Sequence, residues 1–181
     1  MSERNPWTTV ASREIYRNPW IRVREDSVVC PDGRPGIYGV VETKVATGVA
    51  ALDEHGNILL IGQYRYPMHE YSWEIVEGAA EPGEDPLTGA KRELEEEGGL
   101  LASDWRPLGA EVHPSNCFSS ERALLFEARG LSRVAPHPDA NEVLQRKWMP
   151  LAEAVSLVEA SGIKDALSII AILRLAREMG I

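Results

Sequence analysis

The chain has 181 residues, of which 44% are hydrophobic and 26% charged, and this balance excludes a disordered protein. Its 28 acidic residues outnumber 19 basic ones, and the net charge of −9 disfavours binding to the phosphate backbone of nucleic acids. Two cysteines are too few for a disulfide scaffold, and the polar first residues show no secretory signal, so we expect a cytoplasmic protein. The longest apolar stretch, residues 167–173, is too short to span a membrane.

Short segments with β-strand character fill the first third of the chain. Residues 21–29 and 37–45 flank a turn rich in proline and glycine, which predicts a β-hairpin. Residues 47–52 and 58–66 flank a second turn at residues 53–57, and this pattern predicts another hairpin.

A helix is predicted over residues 86–97. Asp85 suits the N-cap, Pro86 suits the first helical position, and two glycines after residue 97 end the pattern. The other predicted elements are strands at residues 105–112, 123–128 and 143–149 and helices at residues 150–160 and 166–179. Mixed strands with few helices predict an α+β fold or an α/β/α sandwich.

Three glutamates of the predicted helix, Glu93, Glu96 and Glu97, are spaced i, i+3 and i+4. This spacing places their carboxylates on one side of the helix, where they repel one another. A solvated helix face is one interpretation of such an acidic run. A site for a hard cation such as Mg²⁺ or Mn²⁺ is the other, because these ions prefer oxygen ligands.

The segment from residue 78 to residue 100 reads GAAEPGEDPLTGAKRELEEEGGL. It resembles the Nudix box, G-x5-E-x7-R-E-U-x-E-E-x-G-U with U aliphatic, and it fills every specified position. A chance match in a chain of this size would occur in about one case in 10⁵ or fewer at ordinary residue frequencies. The resemblance implies the Nudix fold, an α/β/α sandwich with a mixed sheet in the α+β class.

The resemblance also implies a chemistry, the Mg²⁺-dependent cleavage of a nucleoside diphosphate linked to another group, with Mn²⁺ as an alternative metal. Arg92 is implied to pair with Glu84 and to orient the ligand helix, and both Arg92 and Glu96 are candidates for catalysis. The implied metal ligands are Glu93, Glu97 and Glu96, together with the main chain of Glu77.

Two motifs near the box are similar to the branch of the family that acts on ADP-ribose and nucleoside diphosphate sugars. Residues 63–67 read QYRYP and residues 73–78 read WEIVEG, where the branch has proline and alanine in place of Val76-Glu77. This similarity implies that Arg65 contacts the diphosphate. Glu74 is implied either to bind the nucleobase or to support the loop.

Later segments extend the similarity to this branch. Ser115 and Glu121 match a motif on the substrate side, although Asn-Cys replaces Pro-Gly between them, and both are candidate substrate-binding residues. Glu142, in a loop before the predicted strand at residues 143–149, is the candidate general base. Glu121 and Glu96 are the alternatives for that role.

Residues 1–45 are similar to the N-terminal β element through which members of this branch dimerise, and residues 46–181 to the catalytic domain. We therefore expect a homodimer that hydrolyses a nucleotide sugar and binds neither nucleic acid nor membrane. A nucleoside triphosphate pyrophosphatase and a nucleotide-sensing domain without activity are the alternatives. The complete set of glutamates favours catalysis over sensing.

Overall fold

The structure, a computed structural model, describes residues 4–137 and 143–181. Internal packing divides the chain into two units. The first comprises Met1–Lys44 and His113–Arg122, and the second comprises Val45–Val112 and Ala123–Ile181.

The first unit contains an antiparallel sheet of three strands in the order β1-β2-β3. These strands are β1 (Thr8–Arg17), β2 (Ile21–Val29) and β3 (Pro35–Thr43). The register of β2 and β3, from Ile21 opposite Thr43 to Val29 opposite Pro35, confirms the first predicted hairpin. The sequence did not predict β1, because all ten of its residues are exposed and it has no apolar face to produce a pattern.

The second unit contains two sheets, ordered β7-β4-β9-β8 and β10-β5-β6. Their strands are β4 (Ala46–Ala51), β5 (Asn57–Arg65), β6 (Glu70–Glu74), β7 (Val76–Ala79), β8 (Leu100–Pro107), β9 (Ala123–Arg133) and β10 (Gln145–Pro150). The larger sheet is mixed, because β4 pairs in parallel with β9 and antiparallel with β7.

Helices lie on both faces of these sheets. They are α1 (Pro86–Glu93), α2 (Leu151–Glu159) and α3 (Ala166–Met179). Alternate residues of β4 point to opposite faces, so Val49 packs in the apolar cluster that contains Ala90 of α1, whereas Ala50 packs in the cluster that contains Ile172 of α3. This layering confirms the predicted α/β/α sandwich.

The second predicted hairpin is wrong. β4 and β5 follow each other in sequence but belong to different sheets, and between them only Leu52 and Ile58 form a bridge. β4 pairs instead with β7 and β9, and β5 pairs with β10 and with β6, the strand that follows it in the chain. A compact turn between two apolar runs does not reveal whether the runs pair with each other.

The predicted boundaries also shift at β8, which begins at Leu100 rather than at residue 105. The helices at the end of the chain agree with the prediction, and Asp165 caps α3 by accepting a hydrogen bond from the Ser168 N–H at 2.7 Å. Within the described part of the chain, no helix combines the length and the apolar character needed to cross a membrane.

Candidate active site

The segment that resembles the Nudix box forms α1 and a π-helical turn, Leu94–Gly98. Asp85 caps α1 by accepting a hydrogen bond from the Thr88 N–H at 3.2 Å. Gly99, with φ of 66°, ends the turn in the left-handed conformation that glycine adopts without strain. The sequence predicted one continuous α-helix here, and turns of the π type are frequent at functional sites.

Glu93 lies at the end of α1 with its side chain against β7. A Cβ on Gly78 would lie 2.0 Å from the carboxyl carbon of Glu93, so a glycine leaves the room that this carboxyl group needs in its present position. The Ala79 N–H donates a hydrogen bond to it, and Arg92 contacts it. Burial nevertheless raises the pKa of Glu93, because removing a carboxylate from water disfavours its charged form.

Arg92 connects several groups of the site. Its Nη1 donates to Glu93 at 2.7 Å and to Glu96 at 3.0 Å, and its Nη2 donates to the carbonyl of Ala79 at 2.9 Å and to Glu84 at 3.5 Å. Burial opposes its charge, but the surrounding carboxylates raise the pKa of Arg92. The implied pair with Glu84 is present, and it belongs to a wider network that holds Glu93 and Glu96.

Glu97 is 3% exposed and is the most buried carboxylate of the π-helical turn. Two main-chain carbonyls of this turn are anchored from outside the helix. The Glu97 carbonyl accepts a hydrogen bond from Arg146 Nε, and the Glu96 carbonyl accepts one from the His137 N–H at 3.0 Å.

Arg146 was not predicted as a site residue. It lies two residues before Trp148 on β10, and Trp148 packs against the apolar cluster on the α1 side. Residues two apart in a strand share a face, so the alternation along β10 indicates that Arg146 lies on the same face as Trp148.

The oxygen donors of the box suit a hard divalent cation. One cationic nitrogen, Arg92 Nη1, lies within hydrogen-bond distance of both Glu93 and Glu96, so the two carboxylates already face a positive charge at one point. Within residues 4–137 and 143–181, no group of three acidic, histidine or cysteine side chains has the geometry to hold a metal ion. The donor chemistry fits Mg²⁺, and Arg92 would share the carboxylates of Glu93 and Glu96 with a bound ion.

The side chain of Glu77 extends away from the box toward α3. Its Oε1 accepts a hydrogen bond from Ser168 Oγ at 3.1 Å. Burial raises the pKa of Glu77 well above its ordinary value, and the neighbouring Asp165 raises it further. Any bond from Glu77 to a metal would therefore come from its main chain, as the resemblance implies.

Arg65 and Glu74 form an ion pair between β5 and β6. Arg65 Nε donates to the two carboxylate oxygens of Glu74 at 2.9 and 3.1 Å, and Nη2 contacts the same carboxylate. Glu74 is 2% exposed, whereas the side chain of Arg65 is 40% exposed. Glu74 thus supports Arg65, whose guanidinium group is accessible to solvent.

Three predicted site residues take no part in the contacts described above for the second unit. Ser115 and Glu121 belong to the first unit, where the Ser119 N–H donates to the Ser115 carbonyl and the Glu121 N–H donates to Ser119 Oγ, both at 3.0 Å. Glu142 lies outside the described residues. The roles of all three stay predictions.

Comparison with known proteins defines the class to which this fold and site belong. Residues 42–169 match the NUDIX domain, and residues 7–41 match the nucleoside diphosphate sugar hydrolase N-terminal domain. The chain therefore belongs to the Nudix family and is a Nudix hydrolase.

Individual relatives agree with this membership. The chain is 33% identical over 170 residues to the ADP-ribose pyrophosphatase of Mycobacterium tuberculosis, covering 91% of this chain and 81% of that protein. It is 30% identical over 166 residues to the methanol dehydrogenase activator of Bacillus methanolicus, covering 91% and 89%. The crystal structure of an ADP compounds hydrolase superposes with a TM-score of 0.84 at 20% identity, covering 99% and 97%, which shows a shared fold.

Proposed function

We propose that this chain hydrolyses the pyrophosphate bond of ADP-ribose or a related nucleoside diphosphate sugar, with Mg²⁺ as cofactor. Water and the substrate would give a nucleoside monophosphate and a sugar phosphate. The observation that carries this proposal is the complete box, in which the half-buried Glu93 is bonded to Arg92 and the buried Glu97 lies in the turn that follows. The resemblance to an ADP-ribose pyrophosphatase over most of the chain supports the choice of substrate.

Glu93, Glu96 and Glu97 would hold the metal together with the main chain of Glu77. Bound Mg²⁺ would neutralise the diphosphate and lower the pKa of a water molecule beside it. Arg92 keeps two of these carboxylates in place through its hydrogen bonds to Glu93 and Glu96. Arg65, fixed by the buried carboxylate of Glu74, would bind the diphosphate through its exposed guanidinium group.

Glu142 is the proposed general base. Two hydrogen bonds support this role, because they join residues just before and just after the segment 138–142 to the π-helical turn Leu94–Gly98. The His137 N–H bonds to the Glu96 carbonyl, and Arg146 bonds to the Glu97 carbonyl. A base that activates water in this reaction must act close to the metal ligands.

Ser115 and Glu121 are proposed to contact the substrate, Glu121 on its sugar side.

The N-terminal element, residues 1–45, is proposed to form a homodimer. An exposed strand such as β1 supports this, because its outer edge offers unpaired backbone groups to another chain. Light scattering at micromolar concentration should give twice the mass of one chain, and an active monomer would contradict the dimer.

A substrate panel tests the proposed function. ADP-ribose, GDP-mannose, other nucleoside diphosphate sugars and the nucleoside triphosphates are incubated with the chain and Mg²⁺, and the products are resolved by chromatography. We expect the diphosphate sugars to be cleaved in preference to the triphosphates. Preference for triphosphates would favour the pyrophosphatase alternative, and tight binding without turnover would favour a sensor.

A further inference from the structure

Ser168 is a fully buried polar residue in the first turn of α3, outside the box and its flanking motifs. Its hydroxyl oxygen accepts a hydrogen bond from the Ile75 N–H at 2.9 Å and donates one to Glu77 Oε1 at 3.1 Å. Ser168 is therefore bonded to the main chain of Ile75 and to the side chain of Glu77, the residues immediately before and after Val76.

The segment bonded to Ser168, residues 75–78, faces the proposed metal ligand Glu93. Along β7, Val76 packs in the apolar cluster on the α1 side, and Gly78 lies against the Glu93 carboxyl group. Glu77 points to the other face, toward α3. The backbone of residues 75–78 thus lies between Glu93 of α1 on one face and Ser168 of α3 on the other.

This strand has little support from its own sheet. β7 is four residues long and lies at the edge of the order β7-β4-β9-β8, so within the described residues its ladder partner is β4 alone. A short edge strand with one partner is held weakly in place. The buried Ile75–Ser168 hydrogen bond and the partly buried Ser168–Glu77 hydrogen bond, both from α3, supply a further constraint.

We propose that Ser168 is a positioning residue for the metal site, holding residues 75–78 so that Gly78 and the main chain of Glu77 stay in register with Glu93. The proposal rests on the proposed function, since it concerns the same metal ligands. It assigns a role to the first turn of α3 beyond capping. Asp165 caps the helix through the Ser168 N–H, a bond that does not involve the hydroxyl group.

The test measures metal binding directly, by titrating the full chain with Mn²⁺ and following free Mn²⁺ by electron paramagnetic resonance. Ser168→Ala removes the hydroxyl group and keeps the backbone cap. Ser156→Ala is the matched control, because Ser156 Oγ donates only to the Ala152 carbonyl on an exposed part of α2. Thermal melting of each variant reports whether it folds.

We expect Ser168→Ala to weaken Mn²⁺ binding roughly 10-fold or more, as the loss of groups supporting metal ligands commonly does. Ser156→Ala should bind as the wild type does, and Ser168→Thr, which retains a hydroxyl group, should recover most of the affinity. If Ser168→Ala does not melt cooperatively, Ser168→Cys replaces it, because a thiol fills the space but is a weak hydrogen-bonding group.

Unchanged Mn²⁺ affinity in the folded Ser168 variant would overturn the positioning role and leave the proposed function intact. Weakened binding in a chain that cleaves no nucleotide sugar would overturn the proposed function and support the positioning role. Absence of Mn²⁺ binding to the wild type would overturn both.

Discussion

The carboxyl carbon of Glu93 lies 2.0 Å from the position that a Cβ on Gly78 would occupy. The first glycine of the box is therefore required by the position of a side chain fifteen residues later in the sequence. Gly78 belongs to β7 and Glu93 ends α1, so this contact joins the two elements that frame the proposed metal site.

Gly78→Ala should displace the Glu93 carboxyl group, because the new Cβ would overlap with it at 2.0 Å from its carboxyl carbon. A displacement of about 1 Å can cost roughly 10²-fold in rate, and we expect a loss of that order in kcat/KM. Gly39→Ala is the matched control, since a Cβ on Gly39 meets nothing within 4 Å. Steady-state kinetics on both variants would contradict this account if they lost activity equally.

Glu97→Gln removes one negative charge and keeps the shape of the side chain. We expect turnover to fall about 10²-fold or more, through the loss of charge stabilisation by the bound metal. The fold should persist, because repulsion among Glu93, Glu96 and Glu97 is relieved. Near-normal turnover in saturating Mg²⁺ would refute the assignment of Glu97 as a ligand.

Glu142→Gln should separate the general base from the metal ligands. Removal of a general base lowers kcat roughly 10²- to 10⁴-fold, whereas Mg²⁺ dependence and substrate affinity should change little. Glu97→Gln is the comparison, since it should alter the Mg²⁺ titration as well as the rate. If Glu142→Gln keeps more than about half of the wild-type kcat, the role passes to Glu121 or Glu96.

Arg65→Ala should have two separable effects. It leaves the buried Glu74 carboxylate without its ion-pair partner, which should lower the free energy of unfolding by about 1–3 kcal/mol. It should also raise KM, because the exposed guanidinium group would no longer bind the diphosphate. The double variant Arg65→Ala with Glu74→Gln removes the buried charge, so stability should recover while KM stays high. Recovery of both quantities would assign Arg65 a structural role only.

The parts of the site that are local in sequence were predictable. The N-cap at Asp85, the helix after it and the spacing of Glu93, Glu96 and Glu97 all lie within one segment of the chain. Helical periodicity and capping act over a few residues, so these features follow from short-range physics.

Features that depend on distant partners were not predictable in the same way. β4 has β9 as its parallel partner, more than seventy residues away, so the local pattern suggested a hairpin with β5 that does not form. Arg146 bonds to Glu97, which is 49 residues away in the sequence, and Ser168 bonds to Glu77, which is 91 residues away. Alternation along β10 indicates the face on which Arg146 lies, but only tertiary packing determines which distant residue a side chain contacts.

Identification of the bond that is broken in ADP-ribose is the most direct test of the proposed function. ADP-ribose is incubated with the chain and Mg²⁺, with a matched sample containing excess EDTA, and the products are separated by ion-exchange chromatography. We expect AMP and ribose 5-phosphate in equal amounts, and neither product in the sample with EDTA. ADP and free ribose, or equal turnover with and without EDTA, would contradict it.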